Sequence, residues 1–342
     1  MPTSSQQKVL FVQSKQGELV IGARDVPKPG PTDILVKNEA VGLNPVDWKI
    51  ITFGMAETYP TILGHDAAGV VEAVGESVTA FAKGDRVLYQ GFSEDDRACF
   101  QQYTLIDGGL AAKLPESLSF EQGATLPLAF ATAAIGFYFK AGGPLLTPPW
   151  AEGGRGKYKD TPLVVIGGAS TAGSLALQFA KLSGFSPIIT TASARNTALL
   201  QSYGATHVLD RNLSADALKA EVQKIAGGPV TLVYDAVSVP ETQAAGYGLL
   251  APAGKLLTLL PPKIAETSDG RTVVQVSGVV QFPMNVEFGK ALFLVLSTLL
   301  ETGDMKPLRF EVVPGGLEGV AAGLDRLKNN QVSAAKLVVS LA

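Results

Sequence analysis

Leu163-Val164-Val165-Ile166-Gly167-Gly168-Ala169-Ser170-Thr171-Ala172-Gly173-Ser174 is the stretch on which the fold turns. Its four apolar residues, mostly β-branched, read as a short strand buried on both faces. They run into a turn of small residues, after which a helical pattern begins near Ser174. Strand, small-residue turn and helix together present free backbone N–H groups to a pyrophosphate, because the first N–H groups of a helix have no carbonyl behind them. Gly167 permits the tight turn, and Gly173 lets helix and strand pack closely. Gly168, Ser170, Thr171 and Ala172 complete the candidate phosphate loop. Ser170 takes a middle position that is usually glycine, and its hydroxyl or that of Thr171 can donate to phosphate.

Outward from this loop, residues 162–283 alternate apolar runs with helical stretches. Candidate strands are Leu163–Ile166, Ser186–Thr191, His207–Leu209, Leu232–Tyr234, Lys255–Leu259 and Val273–Val279. Candidate helices between them are Ser174–Leu182, Thr197–Tyr203 and Ala215–Ile225. That alternation predicts a doubly wound parallel sheet, the Rossmann architecture. Upstream, Leu19–Ile21, Asp33–Val41, Ala68–Val74 and Asp85–Tyr89 are short strands between Gly and Pro turns, which predicts a β-rich domain. Residues 128–140 read as a helix, and 143–160, rich in Gly and Pro, as a surface loop. The last sixty residues hold the apolar run Ala291–Leu300, a helix around Gly316–Lys328 and a final strand, Lys336–Ser340, and return to one of the two domains. The chain is therefore an α/β protein with a β-rich catalytic domain over 1–125 and 286–342 and a nucleotide domain over 126–285.

The end of the second parallel strand selects the dinucleotide. An NAD site places a carboxylate there for the ribose hydroxyls, and that carboxylate repels a 2′-phosphate. Ile189-Thr190-Thr191-Ala192-Ser193-Ala194-Arg195-Asn196 carries no acid there but offers Ser193, Arg195 and Asn196 as donors, with Arg211 after the next strand as a second cation. This favours NADPH.

Composition excludes several other classes. The chain has 342 residues, 46 % of them hydrophobic and only 17 % charged, so a large core is available and disorder is excluded. A net charge of −3 without a basic run gives no nucleic-acid footprint. One Cys rules out a disulfide framework, and two His rule out a zinc site built mainly from imidazoles. Met1–Gln7 lacks the apolar core of a signal peptide, and Ala291–Leu300 is about half a bilayer span, so a soluble, cytoplasmic protein is expected.

Three stretches carry a family resemblance: Gly42-Leu43-Asn44-Pro45-Val46-Asp47-Trp48-Lys49; Gly64-His65-Asp66-Ala67-Ala68-Gly69 onward through Gly84-Asp85-Arg86-Val87; and Ala124-Thr125-Leu126-Pro127 with the helix holding Thr132. In this order before a dinucleotide loop, they resemble the medium-chain dehydrogenase/reductase superfamily. The Asn-Pro-x-Asp-x-Lys motif, the long loop before the first parallel strand and Ala335-Lys336-Leu337-Val338-Val339 are similar to zinc-independent, quinone-oxidoreductase-like members, above all fungal enoyl reductases that act in trans on polyketide synthases. The resemblance implies a GroES-like fold for the first domain and a cofactor in the cleft between domains.

It also implies site roles. Lys49 would stabilise or protonate the intermediate, and Thr132 would contact the nicotinamide carboxamide. Asn44, Asp47, Leu259, Leu260, Ser333 and Lys336 would border the cofactor, and Phe282–Phe288 the substrate. Where the zinc branch carries its first Cys, this chain has Asn44. His65 and Asp66 remain but lack a third ligand, so no metal is expected and His65 reads as a hydrogen-bonded structural residue. Few charges fall near these positions, which suits an apolar small-molecule or carrier-bound enoyl substrate. The activity expected is NADPH-dependent reduction of conjugated C=C bonds, against quinone reduction or a non-catalytic NADPH-binding role, in a monomer or homodimer.

Overall fold

Pro187 shows how local chemistry sets the element boundaries. It has no N–H to give to a ladder, and the second parallel strand starts two residues later than its predicted Ser186, at Ile188. A computed structural model describes residues 6–139, 144–264 and 269–341. Most of the polar N-terminal stretch and Gly143 of the predicted loop lie outside the described residues. The chain divides into two units, one running to Leu128 and resuming at Val279, the other Ala129–Gly278.

In the first unit, β1 (Gln6–Val12) pairs with β2 (Leu19–Asp25) and β4 (Thr61–Ile62). A larger sheet contains β3 (Asp33–Gly42), β5 (Asp66–Val74), β6 (Arg86–Gln90), β7 (Tyr103–Asp107), β8 (Ala111–Lys113), β15 (Phe310–Val313) and β16 (Lys336–Ser340). Its order is β15-β16-β3-β5-β6-β8, with β7 also on β3. Two register shifts between β3 and β5, at Leu35/Val36 and Asn38/Ala40, curl this sheet as bulges do. The last residue of β3, Gly42, lies opposite Asp66 at the start of β5 and opposite Val338 of β16. The end of β3, the start of β5 and the returning β16 thus meet at one place, and the site described below is built on them. Helix α1 (Pro45–Phe53) leaves from there, with Pro at its start and left-handed Gly54 (φ 61°) at its end. The unit also holds α2 (Phe120–Gly123), α8 (Val286–Glu301) and α9 (Gly319–Lys328). Gly316–Glu318 forms a separate 3₁₀ turn, so the final helix begins later than Gly316.

In the second unit, β9 (Leu163–Ile166), β10 (Ile188–Ala192), β11 (His207–Asp210), β12 (Val230–Asp235), β13 (Leu250–Thr258) and β14 (Thr272–Gln275) form one all-parallel sheet ordered β11-β10-β9-β12-β13-β14. This is the doubly wound order, with its reversal between β9 and β12. Helices α4 (Thr171–Ser183), α5 (Thr197–Tyr203), α6 (Ala215–Ala226) and α7 (Pro240–Gly248) connect the strands. Helix α3 (Pro127–Tyr138) enters the unit, and its Phe130 and Phe137 pack on Phe179 and Tyr234 at 5.1 and 5.2 Å between ring centres. Strand β13 starts five residues before its predicted Lys255, past a register shift against β12. Residues 144–160 form turns, as the Gly/Pro content predicted, with Trp150 anchored edge-on against Tyr138. Among the described residues no helix is long and apolar enough to cross a membrane.

Candidate active site

Asp66 is fully buried and accepts three hydrogen bonds. Its Oδ2 takes the ammonium of Lys336 at 2.5 Å and the amide of Asn44 at 2.8 Å, and its Oδ1 takes the Leu128 N–H at 2.6 Å. Lys336 is 1 % exposed, and its Nζ also donates to Asn44 Oδ1 at 2.6 Å. Bare Gly42 makes room for this: a Cβ there would lie 2.3 Å from the Ala124 carbonyl and 2.8 Å from Lys336 Cε. A second buried carboxylate, Asp47, accepts the Asn44 N–H on Oδ2 at 2.8 Å and sits 2.7 Å from His65 Nδ1 through Oδ1.

Two carboxylates in a low-dielectric interior need two positive partners or a large desolvation penalty stands uncompensated. Lys336 is one. At the second carboxylate stands His65: burial by itself lowers its proton affinity, but the hydrogen bond and charge of Asp47 and the charge of Asp66 outweigh that, and its pKa is raised above 6.5. His65 is therefore hydrogen-bonded and structural, as its sequence reading has it, and Asp47 orients the α1 entry.

Lys49 stands two residues further along α1, half-buried, with its Nζ 5.7 Å from the Trp48 ring centre. Burial lowers its pKa below 10.5. It has no ion pair among the described residues. Trp48 Nε1 and Tyr59 Oη are buried without hydrogen-bond partners among the described residues.

In the second unit the loop after β9 is held from below by the next strand. Thr191 Oγ1 accepts the Gly167 N–H at 3.0 Å, and Thr190 Oγ1 accepts that of Gly168 at 3.1 Å. Gly167 is left-handed (φ 77°). A Cβ on Gly173 would lie 2.3 Å from the Gly167 carbonyl, the close approach that glycine permits there. Ser170 is the cap of α4, its Oγ accepting the Gly173 N–H at 3.0 Å, which is why the helix starts at Thr171 rather than near Ser174. The Gly173 N–H is thus taken by the chain itself, while those of Thr171 and Ala172 head the helix. The loop fits a pyrophosphate at the helix start, where the Thr171 and Ala172 N–H groups and the helix dipole favour an anion beside glycine walls.

Ser193, Arg195 and Asn196 follow β10 in a 3₁₀ turn, Arg195 being exposed. Arg211 is held beside them by its N–H to the Ala192 carbonyl at 3.1 Å. Asp210 caps its own turn through the Asn212 N–H at 2.9 Å. The Leu259 N–H is donated to Ser238 Oγ at 2.7 Å; Leu260 makes no hydrogen bond among the described residues. Thr132 lies against Gly278, where a Cβ would be 2.0 Å from its Oγ1. In the first unit the Ser333 carbonyl accepts from Arg309 at 3.0 Å, and Phe282 meets Phe92 edge-on at 6.0 Å. Sequence reasoning missed Thr190, Thr191 and Ser238 as supports. It also did not foresee that the Lys336 amine is enclosed by Asn44 and Asp66, and nothing local to position 336 signals that contact.

Residues 30–116 match the alcohol dehydrogenase GroES-like domain, and residues 172–263 the zinc-binding dehydrogenase domain. The chain is 36 % identical to a trans-enoyl reductase of Alternaria alternata, covering 98 % of each, and 31 % identical to one from a Penicillium species, covering 100 % of this chain and 99 % of that one. An alcohol dehydrogenase superfamily protein from Novosphingobium aromaticivorans superposes with a TM-score of 0.82 at 24 % identity, covering 98 % of this chain and 100 % of that one. The second domain's description implies zinc, but the residues do not fit it. Among the described residues no group of three or more His, Cys, Asp or Glu can hold a metal ion, and the Lys336 ammonium lies against both Asn44 and Asp66. With a GroES-like unit, a doubly wound nucleotide unit and relatives that align from end to end, the chain belongs to the medium-chain dehydrogenase/reductase superfamily and is an oxidoreductase.

Proposed function

We propose that this oxidoreductase reduces the C=C bond of an α,β-unsaturated thioester or ketone, with NADPH as reductant and no metal. The observation that carries the reading is Lys49: a half-buried amine whose pKa burial lowers, with no carboxylate to hold its proton. Such a group gives up its proton more readily than an ordinary, fully hydrated lysine. Bound NADPH supplies the hydride for the β-carbon. The Lys49 ammonium then protonates the α-carbon of the resulting enolate, and the neutral amine takes its proton back from water. Thr132 would orient the carboxamide of the nicotinamide, and the N–H groups of Thr171 and Ala172 would hold the pyrophosphate.

NADPH rather than NADH is supported by the turn after β10, where Ser193, Arg195 and Asn196 with neighbouring Arg211 offer donors and no acid occupies the strand end. That the Alternaria and Penicillium relatives are trans-enoyl reductases supports enoyl reduction. Exposed Phe282 and Met284 suit an apolar acyl chain, free or tethered to a carrier protein.

The test is steady-state NADPH oxidation with an enoyl thioester, an enone and a quinone side by side. The reading expects turnover with the first two and loss of it in Lys49→Met. Intact NADPH binding with no oxidation by any unsaturated carbonyl, or faster turnover with the quinone, contradicts it.

A further inference from the structure

We propose that Lys336 is the resident cation of the Asp66 pocket, a fixed ammonium that does the charge balancing a divalent metal would otherwise do, and that it keeps zinc out. The pocket stands where β3 ends, β5 begins and β16 returns beside them. Its Nζ is bracketed by Asn44 Oδ1 at 2.6 Å and Asp66 Oδ2 at 2.5 Å, from positions 292 and 270 residues away in the chain. Its side chain is 1 % exposed, Asp66 is fully buried, and Gly42 is bare where a methyl group would press on Lys336 Cε. Two further lone pairs of the carboxylate are taken, one on Oδ2 by the Asn44 amide and one on Oδ1 by the Leu128 N–H.

A buried carboxylate so placed requires one nearby positive charge, and only one. Lysine supplies it on a four-carbon stem rooted at the first residue of β16, so the returning strand and the charge arrive together. A zinc ion brought to Asn44 and Asp66 would have to displace that ammonium or sit against it, at a cost no ligand here offsets. Asn44 gives the pocket a neutral amide that both accepts from Lys336 and donates to Asp66, which a thiolate could not do. The inference rests on the metal-free part of the reading above; its readouts are metal content and stability, so its failure is distinct from a failure of C=C reduction.

The test uses the full chain equilibrated with Zn²⁺ alone, then freed of loosely bound ion and assayed for zinc and for thermal unfolding. Wild type is expected to retain fewer than about 0.1 zinc per chain, with no change in midpoint. Lys336→Met is expected to lower the midpoint of the first unit by on the order of 10 °C, because it leaves the Asp66 charge buried alone. Lys336→Arg, which keeps the charge, is expected to lose less than Lys336→Met. Asp66→Asn combined with Lys336→Met is expected to recover at least half of the loss, which a packing role for the stem would not allow. Retention of about one zinc per wild-type chain with a raised midpoint overturns the proposal. So does a double variant whose loss equals the sum of the singles, or one that fails to fold when either single variant folds.

Discussion

Replacing Asp47 by Asn changes one buried atom, and its cost follows from who faces that atom. In the native chain both partners of Asp47 are donors: the Asn44 N–H at 2.8 Å and, facing a carboxylate, the His65 Nδ1–H at 2.7 Å. A carboxylate satisfies both, whereas an amide has one acceptor oxygen and must turn its NH₂ toward one of them. The variant therefore leaves a buried donor unpaired, about 1–3 kcal/mol, and removes the charge that holds the His65 proton, for a total of about 3–5 kcal/mol. The pH dependence has a definite sign. The folded pKa of His65 is raised above its ordinary 6.5, so the stabilisation from its charge is complete below that ordinary value and fades as pH rises through the folded one. The gap between wild type and Asp47→Asn is widest near pH 6 and narrows in alkali. Urea unfolding followed by Trp48 fluorescence, in a Trp150→Phe background, reads the first unit without the second. A difference below about 1 kcal/mol at pH 6, or one that does not change toward pH 9, would refute the charge assignment.

Other outcomes follow from the same geometry. Lys49→Met lowers kcat by about 10²–10⁴-fold with little change in KM, and the wild-type rate falls as pH rises through the depressed Lys49 pKa, because the ammonium is the acid; a flat alkaline limb counts against Lys49 as donor. Arg195→Ala and Arg211→Ala each weaken NADPH binding by about 10-fold and leave NADH unchanged, measured by calorimetry. Gly42→Ala destabilises the first unit by a few kcal/mol, on the order of an overpacked core site, because its methyl group meets the Ala124 carbonyl and Lys336; an unchanged urea midpoint would contradict that crowding.

The parallel sheet was legible because strands covered on both faces are written as unbroken apolar runs, as in Leu163–Ile166, and because Gly167 and Gly173 mark the turn between strand and helix. Boundaries were less legible where a side chain decides them. The helix start depended on the Ser170 hydroxyl closing onto Gly173, and the start of β13 on a register shift that exists only once β12 is beside it. The candidate site was readable where its motif is contiguous, from Asn44 just after β3 to Lys49 in α1. It was not where partners are distant: Asn44 and Asp66 meet Lys336 only because β3 ends, β5 begins and β16 runs beside them, and a lysine in Ala335-Lys336-Leu337 looks like any strand-end lysine. Thr190 and Thr191 were hidden for a related reason. Their hydroxyls serve the neighbouring strand's loop, while in sequence they are ordinary β-branched strand residues.

The most direct measurement is turnover with NADPH carrying deuterium at the transferable position, using an α,β-unsaturated thioester and mass spectrometry of the product. The account predicts a saturated thioester with one deuterium on the β-carbon and a solvent-derived hydrogen on the α-carbon. Deuterium at a former carbonyl carbon, or oxidation of the nucleotide with the double bond intact, would contradict it.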